Sequence, residues 1–147
     1  MTLGDRERAF LKEHRAAAMV TLREDGTPHA VRVGVVLVDG KLWSSGRRDR
    51  VRTAHLRRDP RATLFVFGPG WDYLTLEATV TVLDGPEVPE MSLTLFREMQ
   101  RRMPNAASSG NVMWGGEEKA PEEFVRIMGE EGRVIYEFDV KRSYGLT

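Results

Sequence analysis

Eleven consecutive residues, Tyr73 to Leu83, alternate without interruption, with Leu74, Leu76, Ala78, Val80 and Val82 on one side and Tyr73, Thr75, Glu77, Thr79 and Thr81 on the other. Only an extended chain sends successive side chains to opposite faces, so the stretch is a strand covered by core on one side. Arg133 to Val140 repeats the pattern with Val134, Tyr136, Phe138 and Val140. Two Asp-Gly pairs, Asp25-Gly26 and Asp39-Gly40, supply the positive-φ positions of tight hairpin turns. They separate the apolar run Ala16 to Leu22, the valine-rich run His29 to Val38 and the short run Lys41 to Ser45, which read as a three-stranded meander. Ala62 to Phe67 reads as a buried strand, turned back by Gly68-Pro69-Gly70.

Helices are expected at the margins. Thr2 and Asp5 have capping-box spacing ahead of Leu3, Phe10 and Leu11. Asp49 to Leu56 reads as a short helix with Val51, Leu56 and His55 facing in, stopped by Asp59-Pro60 because proline disfavours helical geometry in the residue before it. Met91 to Met103 is helical with Leu95, Met99 and Met103 in line, and Pro121 to Met128 opens with proline and two glutamates, which suits a helix start. Asn105 to Gly116 reads as a loop or a mobile lid. The expectation is a mainly β protein with α: a six-stranded antiparallel split β-barrel with short flanking helices, since closure removes exposed sheet edges.

The chain has 147 residues with no internal repeat or domain-scale linker, so residues 1–147 are expected to form a single domain. Cysteine is absent, which removes disulfides and thiolate metal sites, and the three histidines are scattered; no metal site is expected. Charged residues occupy the N-terminus where a signal peptide needs an apolar core, and the apolar runs are too short to span a bilayer, so the expected location is the cytoplasm.

Formal net charge is zero, but Arg47 to Arg61 holds seven arginines against two aspartates. Ser44, Ser45, Arg47, Arg48, Arg50, Arg52 and Thr53 fall where the third strand ends and a helix begins. Unpaired N–H groups and positive potential at a helix start, joined by guanidiniums and hydroxyls, suit a phosphate. The competing readings are a solvated basic helix face and a nucleic-acid patch, the latter disfavoured by the neutral net charge and the lack of interleaved exposed aromatics. Arg32 interrupts an apolar strand and points at a ligand, across an interface, or to solvent from an edge strand. Trp71 directly follows a tight turn, where it either walls a planar ring or packs into the core. Trp114 is a lid residue or a dimer contact, Trp43 core, and neither His29 nor His55 has a visible acid partner for base catalysis.

The ordered set of elements resembles a known family. MVTLREDGTPHAVRVGVVLVDGKLWSSG followed by RDRVRTAHLRRDP, and more weakly GWDYLTLEATVTVLDG and RVIYEFDVKRSYG, is similar to the pyridoxamine 5′-phosphate oxidase-like split β-barrel superfamily, above all to small actinobacterial members that bind the deazaflavin coenzyme F-420. The resemblance implies that Arg52 holds the cofactor phosphate, flanked by Arg50 and Thr53 with a hydroxyl from Ser45. It implies that Arg32 faces the ring and ribityl region and that Trp71 lies beside the ring. Arg47 and Arg48 are candidates for outer phosphate or oligoglutamate contacts. It further implies a homodimer with two cofactor sites at the interface, each built from both chains. The activity implied is hydride transfer between coenzyme F-420 and a small planar conjugated substrate. FMN is the alternative cofactor, and a non-catalytic flavin- or haem-binding carrier or sensor is the alternative role. The lysine of the oxidase proper after Arg32 is absent, with Leu37 and Val38 in that stretch, which argues against pyridoxamine phosphate as substrate.

Overall fold

The computed structural model describes residues 3–146 apart from 102, 105 and 109. Nine strands and four helices follow in the order α1 (Asp5–Glu13), β1 (Ala16–Leu22), β2 (Pro28–Gly34), β3 (Val36–Val38), β4 (Lys41–Arg47), α2 (Val51–Arg58), β5 (Arg61–Phe67), β6 (Tyr73–Leu83), α3 (Val88–Gln100), β7 (Val112–Trp114), β8 (Glu117–Lys119), α4 (Pro121–Glu130) and β9 (Arg133–Gly145). Seven of the strands form one antiparallel sheet in the order β2-β1-β5-β6-β9-β4-β3. Its two outermost strands, β2 and β3, are joined by Val35 alone, so the sheet has to curl until its ends meet. Val35 is fully buried at this corner and its N–H donates to the Arg15 carbonyl at 2.8 Å. Across the seam the Ser44 hydroxyl donates to the Gly34 carbonyl at 2.7 Å.

The sheet therefore forms a half-barrel of seven strands, not the expected six. The valine-rich run His29 to Val38 breaks at Val35 and serves both ends of the sheet. The pairings expected of the meander are present, β1 with β2 and β3 with β4, but the break at Val35 places these two hairpins at opposite ends of the sheet, where β4 also pairs with β9. The turn at Asp39-Gly40 is as read, with positive φ at both residues (49° and 78°), the geometry of a type I′ hairpin.

Alternation fills the barrel. Met19, Leu64, Val66, Leu74, Leu76, Val134 and Tyr136 are all within 1% of full burial, and each aliphatic side chain so buried contributes roughly 1.5–3 kcal/mol. β5 is one-sided, not buried throughout: Ala62, Leu64 and Val66 face in, while Phe65 and Phe67 are 36% and 50% exposed.

α3 and α4 cover the outer face of β3, β4 and β9, whereas α1 and α2 add Leu11 and Leu56 to the barrel core. Val88 and Leu95 of α3 pack on Val36, Val38, Trp43 and Ile135, and Leu93 joins Phe124 and Met128 of α4. The stretch read as loop or lid contains β7, which pairs with β8; its Asn105 and Ser109 lie outside the described residues. Trp114 packs edge-on against Phe96 and Phe124, as an element of that small core. Thr2, the expected cap of α1, also lies outside the described residues; the Gly4 N–H instead donates to the Glu7 carboxylate at 2.7 Å. α3 begins earlier than expected and ends before Met103, which is 53% exposed. No helix among the described residues is long and apolar enough to cross a membrane, and no group of three or more metal-ligating side chains is present among them.

Candidate anion site at the junction of β4 and α2

Alternation along β4 sends Ser44 and Gly46 inward and Ser45 and Arg47 outward. At the inner side the Tyr136 ring occupies the space a Cβ on Gly46 would take, so glycine is demanded here by close approach. Thr53, on the first turn of α2, is fully buried, and its hydroxyl donates to the Arg47 carbonyl at 2.7 Å. Its single proton being so used, the Tyr136 hydroxyl 2.5 Å away must donate to it. The Arg47–Thr53 segment is thus folded back on itself and pinned to the barrel.

α2 is held along its inner face as well. His55 Nδ1 lies 2.9 Å from the Thr21 hydroxyl and its ring meets His29 edge-on at 5.1 Å. Burial, then the neighbouring His29, Arg58 and Arg23, push the His55 imidazole below its ordinary value. Val51, expected to face in, is 60% exposed: it opens α2 off the buried face, which is formed by Thr53 with the expected His55 and Leu56.

The seven candidate residues at this junction divide by what they touch. Ser44 and Thr53 spend their hydroxyls on the fold, as described. Arg48 donates through Nε and Nη2 to Asp84, which also accepts from Arg57 at 2.8 Å. These arginines, Arg48 first, hold the Asp84 carboxyl below the usual carboxylate range. Arg47 reaches Asp49 at 3.1 Å, and its cross-strand neighbour on β9 is Arg133, itself held by Glu131 and lying over the Trp114 ring. Arg50 is exposed, and the Arg52 guanidinium carbon lies 5.7 Å from the Tyr136 ring centroid.

Among the described residues, three buried polar atoms here find no hydrogen-bond partner: Ser45 Oγ, Arg47 Nε and Arg52 Nε. Leaving such a group unpaired costs roughly 1–3 kcal/mol, and the three fall within one eight-residue segment, Ser45 and Arg47 on the outward face of β4 and Arg52 beside the inward Tyr136 ring. All three offer hydrogen, and two carry positive charge. α2 has no side-chain cap and no acid in its first turn. The donor set fits an acceptor-only anion such as a phosphate.

Arg32 and Trp71 sit elsewhere. Arg32 is exposed on the outer face of β2, opposite Ala18, beside a depression of about 420 Å³ lined also by Arg15, Gly34, Met99 and Met103. Trp71 is 98% exposed on the turn before β6. The register places Arg47 opposite Arg133, next to the Leu83 end of β6, whereas Trp71 precedes its Tyr73 end. Within one chain the two are separated by the length of β6, about 30 Å at roughly 3.3 Å per residue.

One feature of this surface escaped the sequence reading. Outward-facing Phe65 stacks on Tyr73 at 5.0 Å with an interplanar angle of 9°, Phe67 meets Phe65 edge-on, and Tyr144 lies across from Thr75 on the same face. The signal was present: alternation in RATLFVF puts both phenylalanines on the side away from the core.

A family model described as pyridoxamine 5′-phosphate oxidase matches residues 3–136. The chain belongs to that family. Solved structures share the fold of this pyridoxamine 5′-phosphate oxidase family member. The conserved hypothetical protein Rv2991 of Mycobacterium tuberculosis matches at 18% identity and TM-score 0.71, over 97% of this chain and 84% of that one. An F-420 reductase matches at 16% identity and TM-score 0.67, over 97% of this chain and 98% of its own. A heme binding protein of Mycobacterium smegmatis matches at 14% identity and TM-score 0.64, over 97% of this chain and 52% of its own.

Proposed function

We propose that this chain is an oxidoreductase that binds coenzyme F-420 and transfers a hydride between it and a small planar conjugated substrate. The observation that carries the reading is the set of unpartnered buried donors on Ser45, Arg47 and Arg52 in a chain of this family. The deazaflavin, when bound, supplies the hydride chemistry; the protein supplies position and electrostatics. Arg52 and Ser45 hold the phosphate, with Arg50 at the helix start. Arg48 is committed to Asp84 and Arg47 reaches Asp49, so the outer negative charges of an oligoglutamate tail fall to Arg50. The number of arginines with charge to spare favours this more anionic cofactor over FMN.

Trp71 enters the site from a second copy. A phosphate on Arg52 and a ring on the same molecule are joined by a ribityl-length linker, which cannot reach along β6 to the same chain's Trp71. The aromatic outer face of β5 and β6, bordered by Ala16, Ala18 and Val20, offers an apolar surface for pairing two chains, with Arg32 at its margin. Each site then takes its phosphate contacts from one chain and its ring wall from the other.

The test is titration of coenzyme F-420 and of FMN into the apo protein, followed by fluorescence quenching. Tighter binding of coenzyme F-420 and turnover with a conjugated acceptor are expected. Tighter FMN binding would transfer the reading to a flavoenzyme, and tight binding without turnover against any acceptor to a carrier. Failure to bind either would remove the proposal.

A further inference from the structure

The carboxylate of Asp84 stands at the end of β6, one residue beyond the Leu83–Ile135 pair that anchors β6 to β9. Its two oxygens divide their work: Oδ1 accepts from Arg48 Nε at 2.8 Å and from Arg48 Nη2, and Oδ2 accepts from Arg57 Nη2 at 2.8 Å. Arg48 precedes α2 and Arg57 lies in its last turn, so one side chain grips both flanks of the segment that carries Arg50 and Arg52. The Arg48 N–H, bonded to the Gly132 carbonyl at 2.8 Å, adds a second tie on the same side. Among the described residues neither Arg50 nor Arg52 has a carboxylate within ion-pair distance, so the brace leaves those two guanidiniums unspent.

We propose that Asp84 is a positioning residue: it fixes the strand-to-helix segment so that Arg50 and Arg52 meet a phosphate in one geometry. This rests on the function proposed above. The sign of one substitution separates the idea from simple electrostatics. An anion near Asp84 is repelled by it, so if the carboxylate were only a nearby negative charge, removing it would tighten anion binding. If it positions the arginines, removing it weakens binding although the site becomes more positive, because a charge-assisted phosphate contact depends on alignment.

The experiment titrates coenzyme F-420 and, separately, its phosphate-free deazariboflavin core into wild type and Asp84→Asn. We expect Asp84→Asn to bind coenzyme F-420 about fivefold more weakly while affinity for the core stays unchanged, since loss of overall structure would lower both. Arg48→Lys keeps the charge but loses the two-donor fork on Asp84, and the same selective weakening is expected. Asp84→Glu, which restores a carboxylate, should recover at least half of the loss in log affinity. Unchanged or tighter coenzyme F-420 binding by Asp84→Asn would overturn the positioning role while leaving the site assignment intact. Equal binding of coenzyme F-420 and its core by wild type would instead overturn the assignment of the arginine segment itself, and this role with it.

Discussion

Thr53→Val replaces a fully buried hydroxyl by a methyl of nearly the same shape, so what it removes is hydrogen bonding and little else. Two groups lose their partner: the Arg47 carbonyl, which accepts from Thr53 at 2.7 Å, and the Tyr136 hydroxyl, which donates to it at 2.5 Å. Stranding one buried polar group costs roughly 1–3 kcal/mol, and the two share a site, so their costs do not simply add; about 2–4 kcal/mol is expected. For a chain of this length that lowers Tm by roughly 5–15 °C. Tyr136→Phe should cost only about 1 kcal/mol, since Thr53 keeps its bond to the Arg47 carbonyl. The double variant, having no stranded phenol, should be more stable than the summed single effects by about 1 kcal/mol. The assay is thermal and urea unfolding followed by circular dichroism at one fixed protein concentration, because any self-association makes Tm depend on concentration. A Thr53→Val protein that melts within about 1 °C of wild type, or strict additivity in the double variant, would refute the claim that this pair pins the arginine segment.

Other outcomes follow from the same contacts. His55 is held below its ordinary value of 6.5, so the folded state favours the neutral ring; this stabilisation is complete above that value and is lost as pH falls through it towards the lower folded value. Tm measured across mildly acidic pH should therefore fall in wild type, and His55→Gln should flatten that limb; an unchanged slope would contradict the assignment. If the aromatic face of β5 pairs two chains, sizing should give twice the 16.7 kDa chain mass, and Phe65→Glu should run at the single-chain mass with its far-ultraviolet spectrum intact. A wild-type monomer would contradict that pairing.

How far the sequence reveals this molecule depends on which physical signal each part leaves. The alternation of β6 and the first half of β9 is legible because a one-sided strand imposes a period of two that core packing enforces. The extension of β9 past Val140 to Gly145 is not: the register shift at Glu77 and Ala78 breaks the pattern where the strand becomes surface. The corner at Val35 is equally silent, since Val33, Val35, Val36 and Val38 are alike in type and only tertiary closure tells which one turns. At the site, residue chemistry identified the arginine segment but could not divide it. That Arg48 would be taken by Asp84, thirty-six residues away, and Thr53 by Tyr136, eighty-three away, are facts of topology. Trp71 stood out in the sequence for its turn, and only the register shows that its own chain places it beyond the reach of Arg52.

The most direct test of the account is calorimetric titration of coenzyme F-420 into wild type and Arg52→Ala at one salt concentration. A charge-assisted phosphate contact contributes roughly 1.5–3 kcal/mol, so the substitution should weaken binding by at least about tenfold. Equal affinities in the two proteins would contradict the claim that this guanidinium receives the cofactor's phosphate.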